Sequence, residues 1–308
     1  MRFLNPKTDF AFKKIFGSQQ SKPILIDFLN ALLYEGRTVI EDLEILDPYQ
    51  APQLQGMKDT FRDVKARITG NKTVIIEMQV LNVLGFKKRV LYNLCKAFSM
   101  QLDSGQGYDQ VNPVIALTIT DFEMFPDRPK VISHYQLKER EDATDYSEDD
   151  DIELVFVELP KFNKPLEQLE TVTEKWIYFI KEAGSLEIIP ENLNEPATLE
   201  RAFQIAQLSL LSREELDIFE RKQLFLQDSR NAILKAEQDA LQQGMQRGIQ
   251  QGLQEGLQEG LQQGLQQGLQ QGEKQKAEAI ARSLLDILPI ETISQTTGLS
   301  VEEIRQLR

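Results

Sequence analysis

The sequence predicts an α/β fold, and three observations carry that expectation. Residues 60–68 and 73–80 alternate apolar and polar side chains with the period of a strand, and Thr69-Gly70-Asn71-Lys72 between them reads as a turn, so the pair is expected to form a β-hairpin. Residues 84–103 then take up a helical period, with Val90, Leu91, Leu94, Phe98 and Leu102 on the apolar side. Val111 to Ile119 follows as a nearly unbroken apolar run rich in β-branched residues, the pattern of a strand covered on both faces.

The other elements fall in order around these three. Residues 8–34 carry Phe10, Phe12, Ile15 and Phe16, then Ile24, Ile26, Phe28, Leu29, Leu32 and Leu33, at mixed spacings of three and four broken at Gly17 and Pro23, which predicts two packed helices. Val131 to Leu137 and Ile152 to Leu159 read as further strands, divided by an acidic stretch from Glu139 to Asp151 whose charge density favours a solvated surface insertion over a metal site. Residues 164–235 are mainly helical, with Trp176, Phe179 and Ile180 as core anchors. This layout predicts a core over residues 1–160, a helical extension over 161–240, a repeat over 241–272 and a small helical module over 275–308.

The repeat is built of four-residue units, from LQQG through MQRG and IQQG to LQEG. As a helix, a period of four overshoots 3.6, so its leucines drift by ~40° per unit and no ordinary heptad coiled coil results. Each glycine also costs ~1 kcal/mol relative to alanine in a helix interior. Self-association through the glycine stripe and a loosely helical spacer both fit this pattern. In the last module, Ser300 followed by Glu303 is a capping box after a turn at Gly298. The arrangement fits a small helix-turn-helix or a dimerisation bundle. The two glutamates that open SVEEIRQLR weigh against DNA reading, so a homo-oligomer through residues 241–308 is a live alternative.

Composition narrows the chemistry. Cys95 and His134 are the single cysteine and the single histidine of the 308 residues, which removes disulfides, cysteine or histidine zinc cages and Ser-His-Asp triads, so metal chemistry would have to use oxygen ligands. Cys95 is expected in packing and His134 on a surface strand. The net charge of −13 is unevenly spread: residues 1–110 hold 15 Lys and Arg against 12 Asp and Glu, the rest 20 against 36. The basic part is the one that contains the hairpin. No apolar stretch approaches the ~20 residues that cross a bilayer, and MRFLNPKTDF has no apolar run after its first charges, so a cytoplasmic location without a membrane partner is expected.

On the first hairpin strand Val64, Ala66 and Ile68 alternate with Asp63, Lys65 and Arg67; on the second, Val74, Ile76, Met78 and Val80 alternate with Ile75, Glu77 and Gln79. Opposed residues share a face, so Asp63 joins Glu77 and Gln79 only if paired residue numbers add to an even value. A two-residue Gly70-Asn71 turn gives an odd one, and the reading therefore requires a three-residue loop or a bulge. Two carboxylates brought together this way are hard ligands suited to Mg²⁺, with Mn²⁺ as the alternative, and a metal-bound water is a natural nucleophile toward phosphate. For an arbitrary Asp and Glu at this spacing, the solvated face of an ordinary hairpin is the competing explanation. Here, however, the strand runs straight into a helix carrying Lys87, Lys88, Arg89, Tyr92 and Lys96.

Taken together, TDFAFKKIFG at 8–17, FRDVKARITGNKTVIIEMQ at 61–79, the Arg89 and Tyr92 helix, GYDQVNPVIALTI at 107–119, the Trp176 helix, the glycine repeat and TGLSVEEI at 297–304 resemble the Rpn family of recombination-promoting nucleases and transposases, within the PD-(D/E)XK nuclease superfamily. The resemblance spans nearly the whole chain. It implies a mixed sheet flanked by helices, with Asp63 and Glu77 as metal ligands and Gln79 where the superfamily pattern has lysine, a replacement also found in some restriction endonucleases of this kind. Asp9 matches an acidic position on the first helix that can assist the metal; its rival role is to cap the helix at 10–16. Lys65 is the candidate for the positive charge that Gln79 lacks, against an ordinary exposed strand lysine. Lys88, Arg89, Tyr92 and Lys96 are the expected DNA contacts. The implied activity is Mg²⁺-dependent DNA cleavage tied to recombination or transposition; the competing reading is a non-catalytic DNA-binding or assembly protein on the same fold.

Overall fold

The computed structural model describes residues 3–47, 63–102, 105–147 and 150–307. Six strands form one mixed sheet: β1 (Leu43–Leu46), β2 (Val64–Ile68), β3 (Thr73–Gln79), β4 (Val114–Thr120), β5 (Ile132–Gln136) and β6 (Ile152–Glu158), in the order β1-β2-β3-β4-β6-β5. The central trio β3, β4 and β6 is parallel, and the flanking pairs are antiparallel. All seven residues of β4 are buried, as the unbroken apolar run predicts for a strand covered on both faces.

Each face of the sheet has its own core. On one side Val64, Ala66, Val74, Ile76, Ile115, Leu117 and Val155 pack against α1 (Asp9–Phe16), α2 (Lys22–Leu33), α4 (Val172–Glu182) and α5 (Ala197–Ile205). Aromatic rings thread this layer: Phe16 and Phe28 lie 4.4 Å apart, Phe28 meets Trp176 at 5.4 Å, and Phe179 meets Phe203 edge-on at 4.7 Å. Asp27 accepts the Trp176 indole N–H at 2.9 Å and the Thr198 hydroxyl at 2.6 Å, which satisfies the polar end of a fully buried tryptophan. On the other side Ile75, Val114, Ala116 and Phe156 pack against Phe86, Val90, Leu94 and Ala97 of α3 (Phe86–Ser99).

Sequence chemistry sets several ends. Thr8 caps α1 through its hydroxyl, and Pro23 falls in the first turn of α2, so it starts a helix where the pattern had suggested a break. Thr171 and Glu174 form a reciprocal capping box on α4. Edge strand β1 lies in a segment the sequence reading had not assigned, and residues 60–62 of the first hairpin stretch fall outside the described residues.

By chain compactness residues 1–231 and 232–308 are separate units, and the 72-residue α6 (Arg213–Leu284) contributes to both. The four-residue repeat is helical throughout. Its leucines are exposed, from Leu241 through Leu269, and a Cβ added at any of its glycines, Gly244 to Gly272, would meet nothing within 4 Å. In the second unit Ala281, Ile293, Leu299 and Ile304 make a small core shared by the end of α6, α7 (Ile290–Thr297) and α8 (Val301–Gln306). The capping box predicted at Ser300 and Glu303 is formed, and Gly298 ends α7 at a φ of 74°.

Candidate active site

The register of the hairpin decides which side chains meet. A three-residue loop, Thr69–Asn71, joins the strands, with Gly70 and Asn71 at φ of 77° and 59° and the Ile68 N–H closing onto the Lys72 carbonyl at 2.8 Å. Val64 then pairs with Ile76 and Arg67 with Thr73, so paired residue numbers add to an even value, as the two-strand site requires. Just before β2 the backbone bends. The Asp63 N–H donates to the Ile76 carbonyl at 3.2 Å, and Asp63 Oδ2 accepts the Met78 N–H at 2.7 Å, so Asp63 grips β3 on both sides of Glu77.

Asp63 also faces α1. Lys13 Nζ lies 2.7 Å from Asp9 and 3.9 Å from Asp63, and Lys222 of α6 approaches Asp9 at 3.6 Å. Burial pushes the Asp63 carboxyl well above its ordinary value, and its hydrogen bond with Asp9 adds to this. For Asp9, burial opposes ionisation but is outweighed by the hydrogen bond with Asp63 and by Lys13, which hold it below its ordinary value. The two carboxyl groups thus act on one another, and Asp63 is the harder of the two to ionise. Thr8 occupies the cap position of α1, so Asp9 is not the N-cap; it is the first helical residue and its carboxylate is turned to this cluster.

At the end of β3, Glu77 and Gln79 project from the α3 side because they are two residues apart. One guanidinium nitrogen, Arg89 Nη2, donates to Glu77 Oε1 at 2.6 Å and to Gln79 Oε1 at 2.7 Å. The Gln79 amide nitrogen donates to the Leu81 carbonyl at 2.7 Å, so the side chain is held at both ends. Arg89 itself rests over the Phe86 ring, 4.9 Å from its centre, which fixes the guanidinium against the sheet.

The remaining expected residues separate. Lys65 lies in a different cleft of about 260 Å³, lined with Arg67, Met100, Gln101 and Asn112, so it is not the cation at Gln79; Arg89 is. Lys96 is 4% exposed: α3 turns Asn93, Lys96 and Ala97 toward the sheet, and Lys96 is not presented to a phosphate. The outward side carries Lys88 and Tyr92 together with Leu91 and Cys95, so Leu91 is not on the apolar side and Cys95 is not a packing residue. His134 does sit on a surface strand, with Nδ1 2.7 Å from Glu153. Lys13 was not singled out from the sequence, though its spacing of four from Asp9 on a helix was a usable signal. Among the described residues no group of three or more Asp, Glu, His or Cys side chains forms a ready cation cage; the acids stand as the Asp9 and Asp63 pair and as Glu77 bound to Arg89.

Residues 6–236 match the family described as PD-(D/E)XK nuclease family transposase. The chain belongs to this family. The nuclease family match takes in all six strands, the Asp9 helix and the Arg89 helix, and it ends before the four-residue repeat. No curated protein and no solved structure matches the chain. Among the described residues no helix is long and apolar enough to cross a membrane.

Proposed function

We propose that this PD-(D/E)XK family protein is a divalent-metal-dependent DNA endonuclease that hydrolyses phosphodiester bonds in recombination or transposition. The observation that carries the reading is that β3 carries both parts of the expected acidic set: Asp63 is hydrogen-bonded to its backbone at Met78, and its own Glu77 and Gln79 are tied side by side to one arginine. In donor type the set suits a hard cation, because Asp63, Glu77 and Asp9 offer only carboxyl oxygens, and a cation bound there would take over from Lys13 the charge it now supplies to Asp9 and Asp63. Asp63 and Glu77, aided by Asp9, would hold Mg²⁺, or Mn²⁺, which when bound supplies a water of lowered pKa and offsets charge on the phosphate.

The chain's own residues do the remainder. Gln79 offers an amide to position the attacking water but no charge, and the Arg89 guanidinium bonded to its carbonyl supplies the positive charge expected of a lysine at this point. Lys88 and Tyr92, exposed on α3, would contact the DNA backbone. The excess of cations in residues 1–110 favours approach of a polyanion from this side. Within this proposal the protein works in the cytoplasm, and residues 241–308 join copies of the chain.

One observation favours a second reading. Arg89 already satisfies Glu77 and Gln79, an arrangement that a non-catalytic DNA-binding or assembly protein would also stabilise. Nicking of supercoiled plasmid with Mg²⁺ or Mn²⁺ separates the two: cleavage by wild type that is lost in Asp63→Ala and Glu77→Ala supports the enzyme, whereas DNA binding without cleavage supports the scaffold. Equal cleavage by all three proteins would remove these residues from the site.

A further inference from the structure

We propose that the cleft beside the candidate active site receives an unpaired nucleobase, so that the preferred substrate is DNA whose strands are locally separated. This rests on the nuclease reading and names the substrate class of that site. The cleft, of about 810 Å³, lies between the segment that enters α3 and the loop that leaves β4, and Val83, Leu84, Phe86, Phe122, Met124 and Pro126 give it apolar walls. Its size is within the range of pockets that enclose small organic molecules, roughly 300–1,000 Å³.

Its position ties it to the chemistry. β3 and β4 run parallel with Gln79 opposite Thr120, and the Asp121 N–H donates to the Gln79 carbonyl at 3.0 Å, so both walls grow from the same carboxyl ends that carry Glu77 and Gln79. Ligands of open sheets with parallel strands collect at such ends. Phe86 links the two places: one contact of its ring is the Arg89 guanidinium at 4.9 Å, another is the Phe122 ring at 5.7 Å, edge-on, within the cleft.

The walls are preformed. The loop after β4 is fastened from below by Glu158, which is fully buried and accepts the Met124 N–H at 2.5 Å and the Phe125 N–H at 3.0 Å, while Lys161 donates to Glu158 and to the Phe125 carbonyl at 2.7 Å each. Across the gap Lys87 lies over the Phe125 ring, 4.4 Å from its centre. Leu84 projects wholly into solvent at the rim, an arrangement that gains nothing unless something apolar covers it.

The lip determines the occupant. Lys87 and Lys88 flank the apolar walls, and Asn82 and Glu123 add hydrogen-bonding groups. An aromatic and aliphatic slot with cations at its edge matches a flat heterocycle attached to a phosphate chain, the arrangement by which single strands are held through stacking. A base inside a duplex cannot enter it without leaving its stack, and that costs least where pairing is already absent.

Binding of the full chain to fluorescent DNA, with Ca²⁺ replacing Mg²⁺ to prevent cleavage, tests this on a fully paired duplex and the same duplex with a short central bubble. Wild type is expected to bind the bubble about tenfold more tightly, the scale of one base stacked on an aromatic ring. Loss of that preference in Phe122→Leu, which keeps an apolar side chain but removes the ring, or in Leu84→Gln, at an exposed position that leaves folding intact, with paired-duplex binding unchanged, supports the slot. Equal wild-type affinity for both DNAs, or a preference kept by both variants, overturns it while leaving the nuclease reading in place. Failure to bind either DNA overturns both.

Discussion

Removing the Glu158 carboxylate should destabilise the first unit far more than any exposed charge in it. Glu158 is completely buried and Lys161 nearly so, and the carboxylate also accepts two backbone N–H groups of the loop after β4. Glu158→Ala leaves an ammonium in the interior without its counter-charge, and breaking a buried pair from one side costs about 3–5 kcal/mol. The two orphaned N–H groups act in the same direction, so the upper part of that range applies. For a unit of 231 residues each kcal/mol moves the melting midpoint by about 2–4 °C, which gives a fall of about 12 °C in a calorimetric or circular dichroism melt. The double variant Glu158→Gln/Lys161→Met keeps an acceptor for both N–H groups and removes both buried charges, and it should recover most of the loss. A fall of less than about 3 °C in Glu158→Ala, or a double variant no more stable than the single one, would refute the assignment of this pair as the fastening of the loop.

Arg89→Met should reduce plasmid cleavage by about 100-fold, the usual effect of losing one preorganised charge donor at a phosphate site. Its melting midpoint should move by only about 1 °C, because the guanidinium is nearly half exposed and such pairs add little to stability. In the second unit, the backbone N–H of Ser300 and then Lys274 hold Glu303 down at about 2 from 4.5. A depressed carboxylate stabilises the folded form above its unfolded value, so this contribution is complete above about pH 4.5 and lost as pH falls toward 2. A carbon-detected NMR titration of Glu303 with a midpoint near 4.5 would contradict that bond network. Replacing Gly256, Gly260 and Gly264 by alanine should strengthen the helix by about 1 kcal/mol per site. The 222 nm signal should therefore persist to higher temperature; a loss of helicity would mean that these glycines pack closely against another chain, since nothing within this one lies within 4 Å of the added carbons.

What the sequence disclosed here depended on periodicity. Alternation on two adjacent strands, together with the demand for an even register, was enough to give the pairing of the hairpin but not the direction of Asp63. The bend just before β2 turns its carboxylate to Asp9 and Lys13 of α1, while Glu77 and Gln79 meet Arg89 of α3. The faces of α3 were harder to assign. Leucine at 91 and cysteine at 95 looked like core residues, yet the helix buries Asn93 and Lys96 instead, since the interior slots are set by the neighbouring strands and not by the hydropathy of each residue. The double contact of Arg89 with Glu77 and Gln79 was also out of reach: spacing along a helix gives the face of a residue but not its distance to a strand twelve positions away. Edge strand β1 was missed because Leu43–Leu46 is too short to show a period.

The short loop Thr69–Asn71 has a consequence for engineering. Surface turns ordinarily accept insertions and deletions, because little depends on their length. This one obeys a rule of two. Deleting Gly70 alone would shift β2 against β3 by one residue, send Lys65 and Arg67 into the core that Ala66 and Ile68 now occupy, and carry Asp63 away from Met78. Lengthening the loop by two residues would instead preserve every face, so tolerance of this turn to added length should alternate between odd and even steps.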